Sequence, residues 1–337
     1  MSRLVLLATL CGLLLSACSS DSSDDNAWVD YDAGGNVPWG QRDVVGEPLD
    51  DATQAPEDAG DEPGVDVPTQ SQDTGDPVDP VDRDRDGVPD DHDRWADDPD
   101  MPGPVESDTV YAHTDNRLYR MDVKAYGVEE IGPFVWPVDG QSHEMTDLAI
   151  DQWGVIYGVS FDAVYTCHAQ TAACTFLGAL PDEHWFNGLT FVPGVQYGAS
   201  DDVLVGISQG GRWFKLDTTQ TPVGAEVVGE YLGFTSSGDA YSVLGLGTFA
   251  AVSPSEGGTP RIVRVIAQTA TVQPEGQIAI DQCSSVWGLA GWNEKAFAFC
   301  SDGVIIIVDV DTGAVLQVNH LYEGELSWWG AGTVTRF

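Results

Sequence analysis

From residue 106 to residue 337 the chain is written in short apolar runs of β type, punctuated by Gly, Asp and Asn, with no convincing amphipathic helix. The runs recur. Residues 119–132 (YRMDVKAYGVEEIG) align with 165–178 (YTCHAQTAACTFLG), so that Met121 falls on Cys167 and Gly132 on Gly178. Three further copies are anchored at Leu216, Val265 and Val308. Each copy reads as a strand, a turn often opening with Asp (Asp122, Asp217, Asp309) and a second strand. The anchors lie about 43 to 49 residues apart, the length of a four-stranded propeller blade.

A second repeat precedes the first in each unit. Residues 146–150 (TDLAI), 187–191 (NGLTF), 242–246 (SVLGL) and 287–291 (WGLAG) are apolar, small-residue strands of the kind needed where innermost strands converge on an axis. The first unit has no such strand before Thr109, and residues 329–334 (WGAGTV) supply one from the other end of the domain. That return removes two exposed sheet edges by closing the ring. The expected fold is therefore all-β, a five-bladed β-propeller over 106–337, with six blades as the alternative count. The blade rhythm is similar to that of secreted bacterial propellers of the quinoprotein-like and SMP-30-like kind. The resemblance implies the architecture and transfers no catalytic residue.

Residues 19–105 have a different character. They are built from Asp, Pro, Gly, Ser and Thr, with 26 acidic residues against four Arg, and bury too little apolar surface to offset chain entropy. This stretch reads as a disordered, self-repelling linker with a root-mean-square span of about 50 Å. Over the whole chain 54 acidic residues face 14 basic ones, a formal charge of −40, which disfavours nucleic acid as a partner.

At residues 1–18, Arg3, an apolar run over 4–15 and the tetrad Leu15, Ser16, Ala17, Cys18 have the form of a secretory signal too short to span a membrane. The tetrad resembles the lipobox of bacterial lipoproteins. The resemblance implies that Cys18 is the lipidated first residue of the mature protein, and Ser19 after it implies transport to the outer membrane. Near the end of the linker Asp82, Asp84, Asp86, Asp90 and Asp93 stand at positions one, three, five, nine and twelve, with Gly87 at six and the Val88 carbonyl at seven. That is the ligand spacing of a calcium loop. It resembles a thrombospondin type 3 repeat in single copy, without the Cys and Asn that usually follow, and implies weak calcium binding.

Cys167, Cys174, Cys283 and Cys300 remain in the exported part, and an even number suggests two disulfides. Cys167 and Cys174 flank a hairpin turn; Cys283 and Cys300 lie at one end of a single blade. Alignment of the innermost strands places His143, His184, Asp239 and Ser284 in one register at the channel mouth, with Glu144 and Trp185 beside the first two. Two imidazoles and a carboxylate there are a candidate metal or acid–base site. Trp136, Trp185, Trp287, Trp328 and Trp329 are a candidate stacking surface for carbohydrate or peptide. No GxSxG, HExxH or P-loop pattern occurs in a supporting context. The reading that follows is a lipid-anchored envelope or cell-surface binding or scaffolding protein, its partner an envelope protein, peptide or carbohydrate. A metal-dependent hydrolase or lactonase working at the mouth is the alternative.

Overall fold

The computed structural model describes residues 81–137, 144–181 and 185–336. Cys18 and the tether up to residue 80 lie outside the described residues, as do His143 and His184. The first blade contains β1 (Thr109–His113), β2 (Arg117–Asp122) and β3 (Val128–Pro133). The second is β4 (Met145–Ile150), β5 (Ile156–Ser160), β6 (Ala163–Cys167) and β7 (Cys174–Ala179). The third is β8 (Gly188–Val192), β9 (Val203–Ile207), β10 (Arg212–Asp217) and β11 (Gly224–Glu230). The fourth is β12 (Phe234–Val243), β13 (Gly247–Pro254), β14 (Arg261–Ile266) and β15 (Thr271–Val272), with β16 (Ile278–Ala279) also on β14. The fifth is β17 (Val286–Trp292), β18 (Lys295–Cys300), β19 (Ile305–Asp309) and β20 (Val315–Asn319). Finally β21 (Gly330–Gly332) becomes the innermost strand of the first blade, pairing antiparallel with β1 through Tyr111 and Gly332, Ala112 and Ala331, and His113 and Gly330. Five blades and the ring closure expected from the repeats are both present.

Period-two alternation explains why these strands are apolar on both faces. In β1, Val110 and Ala112 pack against the fifth blade while Tyr111 packs against the second. In β18, Phe297 and Phe299 fill the wedge toward the first blade, and Ala296, Ala298 and Cys300 face the fourth. The core is thus a set of five wedges, one at each junction between neighbouring blades. The turn-opening aspartates act as the repeats suggest: Asp122 accepts from Lys124 N at 2.8 Å, Asp217 from Thr219 N at 3.0 Å and Asp309 from Thr312 N at 2.8 Å. Both disulfides are formed, with Cα separations of 4.0 Å for Cys167–Cys174 across β6 and β7 and 6.1 Å for Cys283–Cys300.

Two expectations are revised. The inner strand of the fourth blade is β12, running from Phe234 to Val243, so SVLGL (242–246) falls on its end and the following turn rather than along the axis. The linker boundary also moves. Residues 81–105 are packed on the propeller, with Val88, Pro89, Pro102 and Gly103 buried. Ala169 N donates to Gly103 O at 3.0 Å, Val105 N to Gly154 O at 2.9 Å and Gln170 Nε2 to Pro104 O at 2.9 Å. The His92 ring lies 5.3 Å from that of Trp153. Composition marks this segment as solvated, whereas its few apolar and backbone groups find partners in the turns at the C-terminal ends of β4 and β6.

Candidate functional site

On the axis the inner strands bring Asp147, Gly188, Asp239, Gly288 and Gly330 to one level. Pairing shifts register at this level in β4, β12 and β17, and such bulges re-aim the backbone. One N–H per blade then points inward, and two carboxylates accept all five. Asp147 takes Leu148 N at 2.8 Å and Leu189 N at 2.5 Å; Asp239 takes Ala240 N at 2.5 Å, Leu289 N at 2.9 Å and Ala331 N at 3.2 Å. Glycine is required opposite them, because a Cβ on Gly330 would collide with Asp147 Oδ1 and His113 Nε2. Both carboxyls are fully buried within this one ring of N–H groups. Burial, reinforced for Asp147 by the neighbouring carboxylate of Asp239, raises the pair well above the usual carboxylate range. His113, fully buried with Nδ1 2.8 Å from Thr114 O, is held neutral by burial, its pKa lowered to about 4. Beyond this ring a pocket of about 10 Å³ lies among the inner strands, room for one water at most.

Above the ring, at the N-terminal ends of the inner strands, opens a cavity of about 290 Å³. Every blade contributes to it, through Trp329, Thr146, Asn187, Ser237 and Trp287 in ring order. Gln209, Ser236, Gly238, Ser253, Ser285 and Phe161 complete the wall. No charged side chain is among these lining residues. Ser237, only 8% exposed, has an Oγ with no hydrogen-bond partner among the described residues, and Asn187 Oδ1 is likewise unpaired among them. Trp287 and Trp329 meet edge to face with ring centres 6.0 Å apart, and Phe161 and Trp185 form a second, tilted pair at 6.2 Å.

The residues expected at the mouth separate in the structure. Asp239 lies inside the axial ring, its oxygens engaged by three backbone N–H groups. The alignment through 242–246 had set it four positions away from its true equivalent, Asp147. Glu144 and Ser284 are exposed and outside the cavity wall, and His143 and His184 lie outside the described residues. Of the five tryptophans, Trp287 and Trp329 line the cavity and Trp185 flanks it. Trp328 is a wedge residue, fully buried with Nε1 donating to Gly303 O at 3.0 Å, and Trp136 packs edge-on against Tyr165 at 5.0 Å. The axial carboxylates escaped sequence reasoning, although a signal existed: an Asp standing in apolar strands where the matching positions carry Gly.

The loop at 82–93 sits at the opposite end of the molecule, with the turns that follow β4 and β6. Asp82, Asp84 and Asp86 bring carboxylate oxygens within 4.8 Å of one another, the only such group of His, Cys, Asp or Glu among the described residues. One oxygen each of Asp84, Asp86 and Asp93 is buried without a partner. The other oxygens of Asp86 and Asp93 hold the loop, accepting from Val88 N and Trp95 N at 2.8 Å each. Burial, with neighbouring carboxylates adding to it, raises the Asp86 and Asp93 pKa values. Gly87 takes the left-handed turn at φ 101°. Asp90 departs from its expected place, since both of its oxygens bind Arg83 at 2.9 and 2.8 Å. The remaining donor set, hard oxygens converging with orphaned lone pairs, fits a calcium-like cation.

No protein-family profile matches the chain, and no curated protein resembles it in sequence. Among solved structures it is similar to a protein of unknown function from Bacteroides caccae, with 8% identity over 64% of this chain and 73% of that one and a TM-score of 0.37. A second, from Bacteroides thetaiotaomicron, shares 10% identity over 62% of this chain and 55% of that one, with a TM-score of 0.40. The Cps50 (Swd1) β-propeller domain of Myceliophteria thermophila shares 11% identity over 64% and 84% of the two chains, with a TM-score of 0.37. At these scores the likeness carries no functional argument; the strand pairing itself makes this chain a five-bladed β-propeller.

Proposed function

We propose that this chain is a lipid-anchored binding protein of the bacterial envelope or surface, tethered at Cys18, braced by a calcium loop at 82–93 and recognising its partner at the propeller mouth. The observation that carries the reading is the mouth itself: a concave, uncharged cavity with unpaired polar atoms, set over an axis closed by the two carboxylates. Its position adds support, because residues 81–105 pack at the opposite end of the propeller and leave the mouth uncovered by that segment. Asp82, Asp84, Asp86 and Asp93 would hold the calcium ion, which would fix the last stretch of the tether against the head. The hydrolase alternative gains no support, since Asp239 is spent on backbone N–H groups inside the ring.

The test has two arms. Full-length protein with Cys18→Ala should leave the membrane fraction for the soluble one; retention there would remove the lipid anchor from the reading. Capture of envelope material by the purified chain should be lost when exposed Gln209 at the rim is changed to Trp, filling the mouth without disturbing the core. Undiminished capture by that variant would move recognition elsewhere on the head.

A further inference from the structure

The lining of the mouth selects among ligand chemistries. Charged ligands are disfavoured: no described lining residue carries a countercharge, and the chain's net charge of −40 repels anions at long range. Extended segments passing through are excluded by the closed axis beneath, so the cavity suits the end of a molecule. A peptide end brings an ammonium or carboxylate, which would be desolvated here unpaired. What remains is a neutral end group with several hydroxyls and an apolar face. Ser237 and Asn187 line the cavity, and their Oγ and Oδ1 are buried without a partner among the described residues, a shortfall that a ligand hydroxyl would make good. The apolar C–H face matches Trp287, 37% exposed and set perpendicular to Trp329, so that one ring offers its face where the other offers an edge. A volume of about 290 Å³ lies at the small end of ligand cavities, room for one terminal unit with the rest of the chain outside.

We propose that the mouth receives the terminal unit of a neutral saccharide chain, with Trp287 as its stacking platform and Ser237 and Asn187 as hydrogen-bonding partners at the floor. This rests on the reading of the mouth as the recognition site and names its ligand class. The experiment is titration of the intact protein, followed by tryptophan fluorescence, with neutral tetrasaccharides of glucose, galactose, mannose, xylose and N-acetylglucosamine. Tetragalacturonate and tetraglycine serve as charged comparisons. At least one neutral tetrasaccharide should saturate the signal while the charged probes bind more weakly. Trp287→Ala should weaken binding by about tenfold or more, the scale of a lost aromatic anchor. Ser237→Ala removes a hydroxyl with no partner among the described residues, so it should fold as the natural chain does; it should weaken binding by about fivefold, the worth of one neutral hydrogen bond. Failure of every neutral probe, tighter binding of a charged one, or indifference to Ser237→Ala each overturns the proposal. If envelope capture still depends on the Gln209 rim while no saccharide binds, only the ligand class is wrong. If capture ignores the rim as well, the recognition site itself is wrong.

Discussion

Asp147 of the second blade and Asp239 of the fourth share the propeller axis, and together they accept an N–H from each of the five blades. An amide in place of one carboxyl offers a single acceptor where the carboxyl uses two. Asp147→Asn should therefore leave one buried N–H unpaired and cost about 1–3 kcal/mol in urea unfolding. The pair also sets a pH dependence. Its folded pKa lies above the unfolded value of about 4, so its contribution is complete at low pH and is lost as pH climbs through the raised value. The deficit of Asp147→Asn against the natural chain should thus shrink as pH rises above about 4; a deficit that grows with pH would refute the raised pKa.

His113 governs the acid side with the opposite sign. Its folded pKa of about 4 lies below the unfolded value of about 6.5. Stability from keeping the ring neutral is therefore full above about pH 6.5 and disappears as pH falls toward about 4. Imidazole nitrogen shifts measured at pH ~5.5, between those two values, should report a neutral ring protonated at Nδ1. A charged ring at that pH would mean that the axis admits water.

Gly330 faces the same carboxylate, and a methyl group there has nowhere to go. Gly330→Ala should destabilise by about 1–3 kcal/mol or more through overpacking. Gly127→Ala, where an added Cβ meets nothing within 4 Å, should stay within about 0.5 kcal/mol. Equal thermal shifts for the two would contradict the close approach at the axis.

Calcium should bind the full chain saturably, in about the 0.1–1 mM range of extracellular modules. Calorimetry should show the heat vanish in the Asp84→Asn, Asp86→Asn double variant, while Asp90→Asn, whose carboxylate serves Arg83, should reduce it far less. Affinity should also drop as the medium is acidified, because Asp86 and Asp93 must give up protons they hold more tightly than free carboxyls do. Equal losses in the two variants would return Asp90 to the ligand set.

The propeller was legible because its strands repeat: the hairpin copies, the returning WGAGTV strand and both cysteine pairs all follow from spacing. What the repeats could not place was the inner strand of the fourth blade. At ten residues β12 is long enough to hold two small apolar stretches, and only pairing with β13 decides which lies on the axis. That one displacement sent Asp239 to the mouth and hid its kinship with Asp147. The packing of residues 81–105 was hidden for another reason, since composition averages over Pro102 and Gly103, whose burial depends on a partner 60 or more residues away.

The seam between β1 and β21 joins positions more than 200 residues apart. During synthesis the first blade therefore waits, with three strands, until Gly330 to Gly332 have emerged, and the axial acids wait with it for the N–H of Ala331. A chain threaded N-terminus first through a translocation pore would stay unlatched, and so unfoldable into an obstructing toroid, until Gly332 had passed.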